Sequence, residues 1–170
     1  IVDDIELDRL LRIPSPDRIM AVRTAIVAGR SDENIYNLSH IDLWFLSKLR
    51  NIINTYNSHL KNKNLNDLDV DTLLELKQLG FSDYQIAWSV SSNELAVRKY
   101  RKALGVLPVY KTVDTCAAEF ASNTPYHYST YERAFKYLEN TCELDLQNEV
   151  VPEVSSKVMI LGGGPNRIGQ

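Results

Sequence analysis

The 170-residue sequence is poor in the residues that most often carry chemistry: it has two cysteines, three histidines and two methionines. Cys116 and Cys142 are too few for a disulfide scaffold, and they fall short of the four ligands of a structural zinc site. His40, His59 and His127 are scattered, none spaced with another histidine or a carboxylate pair as metal ligands would be, so no metal site and no catalytic group is expected. Asp114, Cys116 and Glu119 lie close together in VDTCAAEF, but carboxylates beside a cysteine disfavour the nucleophilic thiolate. Long apolar runs are missing too. The stretch Leu43 to Leu46 is typical, whereas a membrane-spanning helix needs about 20 apolar residues, and no signal peptide opens the sequence. An excess of positive charge is also absent, because the formal net charge of −3 leaves little with which to neutralise a polyanion. Neither a membrane nor a nucleic acid is therefore expected as a partner. What is present, 44% hydrophobic and 24% charged residues, is the usage of a compact cytoplasmic chain with one core or two small ones.

Helix punctuation fills the first part of the sequence. Ser15 suits a cap and Pro16 a first helical position, and Ile19, Val22 and Ile26 recur at helical spacing until Gly29 supplies a left-handed stop. Ser31 caps a short helix carrying Ile35 and Leu38. Asp42 opens a longer one with the stripe Leu46, Leu49, Ile53 and Tyr56. A polar loop from Lys61 to Asp67 separates it from a helix opened by Asp69 and closed by Gly80. Two capping boxes, Ser82 with Gln85 and Ser91 with Glu94, predict helices of about 8 and 13 residues, the second ending at Gly105. After Leu107 the character changes. LPVYKTVDT and YHYST read as extended, TYERAFKYLEN as one more helix, and LDLQNEVVPEVSS as a polar linker. Tyr126, Tyr128 and Tyr131 read as half-buried packing residues. The expected fold is mainly α, an irregular bundle of about six helices with short extended segments near the C-terminus.

The sequence closes on KVMILGGGPNRIGQ, a strand-like run from Val158 to Leu161 leading into Gly162, Gly163 and Gly164. Such a strand and glycine turn start an α/β domain, and a lone strand cannot bury both faces, so a following domain is expected to supply its neighbours. The loop departs from the dinucleotide fingerprint, because Arg167 stands where a third glycine is needed. It departs from the P-loop as well, because Gln170 replaces the phosphate-binding lysine. A tight structural turn is the expectation. The segment Phe81 to Gly105 has the outline of a helix-turn-helix and shows Arg98, Lys99, Arg101 and Lys102 on its second helix, which is the best case for a DNA-binding or regulatory module. The favoured reading is packing architecture with a solvated cationic face, since cations near a helix C-terminus are ordinary and the rest of the sequence is acidic.

Four stretches in order, NLSHIDLWFLSKL, LKQLGFSDYQIA, PVYKTVDTCAAEFASNTPYHYSTYE and KVMILGGGPNRIGQ, together resemble the large subunit of carbamoyl-phosphate synthase, with wording closer to the bacterial enzymes. The resemblance covers nearly all of residues 15 to 170. It implies that 15–140 is the helical oligomerisation domain between two ATP-grasp halves. It further implies that 141–156 is a linker and 157–170 the first strand and glycine loop of the second pre-ATP-grasp domain. Residues 1–14 match no quoted motif and are expected to be the trailing edge of a preceding domain. The resemblance implies a ligase that makes carbamoyl phosphate from bicarbonate, two ATP and ammonia from a glutaminase small subunit, for arginine and pyrimidine synthesis. The ATP and the Mg or Mn ions would be held in the ATP-grasp domains, so no cofactor is expected in the present residues, which alone are expected to be inactive. Asn166, Arg167, Ile168 and Gly169 would lie beside the route of carbamate. Partners implied are the other domains of the same subunit, the small subunit and further copies of the large one. For self-association the candidates are Met20, Arg23 and Val27 on a mixed helix face.

Overall fold

The computed structural model describes residues 3–132, 134–138, 141–145, 148–150, 154–159 and 161–162. The chain divides into two compact units, 1–108 and 109–170. The first holds helices α1 (Asp4–Arg12), α2 (Arg18–Val27), α3 (Asp32–Ser39), α4 (Leu43–His59), α5 (Val70–Gln78), α6 (Asp83–Ser89) and α7 (Glu94–Ala103), with a 3-10 turn at Leu65–Asp67. The second holds two antiparallel hairpins, β1 (Val109–Thr112) with β2 (His127–Thr130) and β3 (Ala134–Leu138) with β4 (Thr141–Asp145).

Caps account for most of the helix boundaries. Ser31, Asp42 and Asp69 each accept a backbone N–H from their helix's first turn, at 3.2, 2.8 and 2.8 Å. Ser82 and Gln85 close the capping box read from the sequence, with bonds of 3.0 and 2.8 Å. Each such bond satisfies an N–H that the helix itself leaves free. At the far ends of α2, α5 and α7 the glycines Gly29, Gly80 and Gly105 adopt φ of 85°, 90° and 77°, and the following N–H turns back to the helix, as from Val106 to the Arg101 carbonyl at 2.9 Å.

Three local expectations are corrected. The helix predicted from Ser15 begins later, at Arg18, because Pro16 and Asp17 form a turn closed by the Arg18 N–H on the Ser15 carbonyl. Ser91 is not a cap: its φ is 52°, and the next N–H, of Ser92, reaches the Ala87 carbonyl at 2.8 Å, so Ser91 ends α6 instead. Asn93 caps α7 in its place and accepts the Ala96 N–H at 2.9 Å. The TYERAFKYLEN segment forms β3 rather than a helix, with Phe135 opposite Leu144 and Tyr137 opposite Cys142. Its apolar residues fit a period of two as well as a helical one, and the aromatic and β-branched residues around it favour the pleated alternative. The paired strand β4 takes up the first five residues of the segment read as linker. Residues 154–159 and 161–162 carry no strand; Val158, Met159 and Leu161 are exposed there.

The core of the first unit is aliphatic. Leu7 and Leu11 of α1, Val22, Ala25 and Ile26 of α2, Ile35 of α3 and Leu46 of α4 pack as one cluster, with Leu49 and Ile53 against its edge. Residues 4–12, which no motif claimed, are thus a full member of this core. A polar belt fastens it from outside: Arg30 pairs with Asp4 at 2.8 Å and with Asp8, while Arg50 pairs with Asp32 at 2.7 Å and donates to the Arg30 carbonyl at 2.6 Å. Beyond it, Leu73 and Leu76 of α5, Ile86 of α6 and Val97 of α7 are fully buried, and α6 packs on α7.

Candidate functional site

A groove of about 1000 Å³ opens between α2, α4 and α6. One wall is α2, where Met20, Arg23 and Val27 stand one helical turn apart, beside Ile19. The floor is Leu49, Ile52, Ile53 and Tyr56 of α4, and the far wall is Tyr84 and Trp88 of α6, with Phe81 before them. Ile19, Met20, Val27, Tyr84 and Trp88 are 53%, 62%, 64%, 64% and 72% exposed, an unusual concentration of large apolar groups on one surface. The local sequence explains the pattern. Val22 and Ile26 turn α2's narrow apolar stripe inward and Ile86 does the same for α6, which leaves the remaining large side chains of these short helices outside.

The groove's charge is one-sided. Neither α2 nor α4 contains an aspartate or glutamate, and α6 contains Asp83 alone. Arg23 and Lys61 sit at the lining. Asp83 faces away from water: both its oxygens receive Arg101, at 2.9 and 3.0 Å from Nε and 2.9 Å from Nη2, and Oδ1 also receives Lys77 Nζ at 3.1 Å. The three side chains are 9%, 7% and 9% exposed. One carboxylate faces two cations, and the carbonyls of Phe81 and Val106 take further donors from Lys77 and Arg101 at 2.8 and 3.1 Å. Burial pushes the Asp83 carboxyl up, but the hydrogen bonds and charges of Arg101 and Lys77 outweigh it and hold it below the usual carboxylate value.

This triad corrects the reading of α7 as a solvated cationic face. Arg98, Lys99 and Lys102 are exposed, but Arg101 points inward as a structural ion. Sequence reasoning passed over it because Asp83 and Arg101 look like ordinary helix-surface charges; their 18-residue separation gives no local signal. The cationic surface needed for a DNA reader is reduced accordingly, and nothing in the fold supports that alternative.

The other candidates are not brought together. His40 is the left-handed C-cap of α3, His59 lies 3.7 Å from Glu75, and His127 meets the Thr112 hydroxyl at 3.4 Å. Among the described residues no group of three or more His, Cys, Asp or Glu could hold a metal ion. Asp114 accepts the N–H groups of Cys116 and Ala118 at 2.8 and 2.7 Å, which closes a turn rather than priming the thiol. Gly162 is exposed; Gly163, Gly164, Asn166, Arg167, Ile168 and Gly169 lie outside the described residues. Among the described residues no helix is long and apolar enough to cross a membrane.

Comparison with known proteins places this groove in context. Residues 2–105 match the family model of the carbamoyl-phosphate synthetase large chain, oligomerisation domain, a span that includes every residue lining the groove. The chain is 51% identical over 160 residues to a carbamoyl phosphate synthase large chain of Nostoc sp., covering 94% of this chain and 13% of that protein. It is 48% identical to the Synechocystis sp. large chain, covering 94% and 14%. It is 44% identical to the arginine-specific large chain, chloroplastic, of Arabidopsis thaliana, covering 97% and 13%. The chain thus spans about one seventh of the length of these relatives. It belongs to the carbamoyl phosphate synthase large chain family, and its helices α1 to α7 are the oligomerisation domain.

Proposed function

We propose that this chain is the non-catalytic spacer and self-association module of an ATP-dependent carbamoyl-phosphate synthase. In this reading the large chain joins ammonia from a small subunit, bicarbonate and two ATP in the cytoplasm, for arginine and pyrimidine synthesis, with Mg or Mn held by ATP-grasp domains. The helical domain would sit between those halves, with 141–156 as the connection and the Asn166 to Gly169 loop beside the carbamate route. The match of residues 2–105 to the oligomerisation domain favours a supporting role. ATP turnover by this chain alone, above that of a heat-killed control, would contradict it.

The observation that carries the self-association reading is the position of Met20, Arg23 and Val27 on one wall of an exposed apolar groove, inside the span matched as an oligomerisation domain. A two-fold contact uses the same patch on both copies, and a mixed patch of this kind suits a weak, concentration-dependent association. Val27 is 64% exposed, so Val27→Glu should fold normally. Sedimentation velocity over a wide concentration range should show the wild type growing heavier while the variant stays monomeric. Equal association of the two would remove α2 from the interface.

A further inference from the structure

We propose that Asn148 and Glu149 form a detachable strap across the outer edge of β1, and that this strap sets where the connection toward a following domain becomes free to move. The consequence for the connection rests on the reading of 141–156 given above; the strap itself rests on contacts within this chain. One edge of β1 is paired: β2 runs antiparallel along it, with Lys111 opposite Tyr128, and just beyond β1 the Val113 N–H reaches the Tyr126 carbonyl at 2.9 Å. Backbone groups alternate sides along a strand, so Tyr110 and Thr112 turn theirs to the other edge. There the chain returning from β4 meets them. Tyr110 donates its N–H to Asn148 Oδ1 at 2.8 Å and accepts the Glu149 N–H at 3.0 Å, while Thr112 donates its N–H to Glu149 Oε2 at 2.8 Å. Lys111 Nζ holds the other carboxylate oxygen, Oε1, at 3.2 Å.

Two side-chain oxygens thus stand where a pairing strand would place its carbonyls. A full third strand would hold on through its backbone, whereas this edge is closed chiefly by the side chains of two surface residues, which a single substitution can undo. With the strap closed, residues 148–150 move with the hairpin, and the free connection is 151–156, at most about 20 Å long. With the strap open, freedom begins where β4 ends at Asp145, and the reach nearly doubles to about 40 Å. The closed strap also covers N–H groups that a bare edge strand offers to other chains.

Amide hydrogen exchange and backbone relaxation by NMR on the whole chain test the strap. In the wild type the Thr112 amide should be protected, and residues 148–150 should show order parameters as high as those of β1, about 0.85. Glu149→Ala should speed Thr112 exchange about tenfold or more and bring 148–150 below about 0.6, with Val113 unchanged because its partner is on the β2 side. Glu149→Gln keeps an acceptor oxygen and should retain part of the protection, and Asn148→Ala should release the Tyr110 amide. Residues 148–150 as mobile in the wild type as in Glu149→Ala overturn the inference, since the strap is then never closed. Val113 exchange rising together with Thr112 overturns it too, since Glu149 then only stabilises the hairpin as a whole. The connection reading fails separately, if residues 154–156 keep order parameters like those of β1 while the strap behaves as described.

Discussion

Asp83→Ala is expected to lower the unfolding free energy by about 3–5 kcal/mol, enough to unfold much of a marginal domain. The loss does not come from the value of an ion pair as such. It comes from leaving Lys77 and Arg101, both more than nine-tenths buried, without the carboxylate that both hydrogen-bond. Urea titration followed by circular dichroism measures it, and a loss under 1 kcal/mol would mean that water reaches the triad. Replacing all three side chains with apolar ones, Asp83→Leu, Lys77→Met and Arg101→Met, should recover most of the loss, because the desolvation cost leaves with the charges. The pH dependence has a definite sign. The folded carboxyl lies below its unfolded value, so its contribution is complete above about pH 4 and drains away as pH falls toward the depressed folded value. Asp83→Ala should therefore be less acid-sensitive than the wild type over that interval.

Leu11→Ala should cost about 2–5 kcal/mol, as other fully buried leucines do when the cavity left behind cannot collapse. Leu11 is fully buried in the cluster, on a helix that packs against α2 and α3, and Leu7 lies one turn before it. Thermal unfolding of Leu11→Ala beside Ile5→Ala, at an 85% exposed position on the same helix, separates core membership from helix propensity. Equal effects of the two would mean that α1 does not stabilise this core and belongs elsewhere.

The two cases mark where the sequence was legible. Caps are local, so Ser31, Asp42, Asp69, Ser82 and the stops at Gly29, Gly80 and Gly105 could be read directly, and with them the helical class. Where two adjacent residues could do the same job, as Ser91 and Asn93 could, local reading chose wrongly, because the left-handed turn ending α6 had first use of Ser91. The short β3 segment satisfied both periodicities, and its partner β4 decided between them. Leu7 and Leu11 had helical spacing but no quoted motif, so their core role emerged only from packing. The Asp83–Arg101 pair and the Trp88 wall of the groove depend on which side of a short helix faces in, and that is set by neighbours distant in sequence. Met20, Arg23 and Val27 were nameable because apolar residues on an otherwise polar helix face are visible in one element; Tyr84 and Trp88 across the groove were not.

Sedimentation equilibrium of the wild-type chain at rising concentration, in low and in high salt, tests the central claim most directly. An oligomerisation domain with an exposed apolar groove should show a weight-average mass climbing from 19.4 kDa toward twice that value at both salt levels, since salt leaves apolar burial intact. A mass fixed at 19.4 kDa under every condition would contradict it.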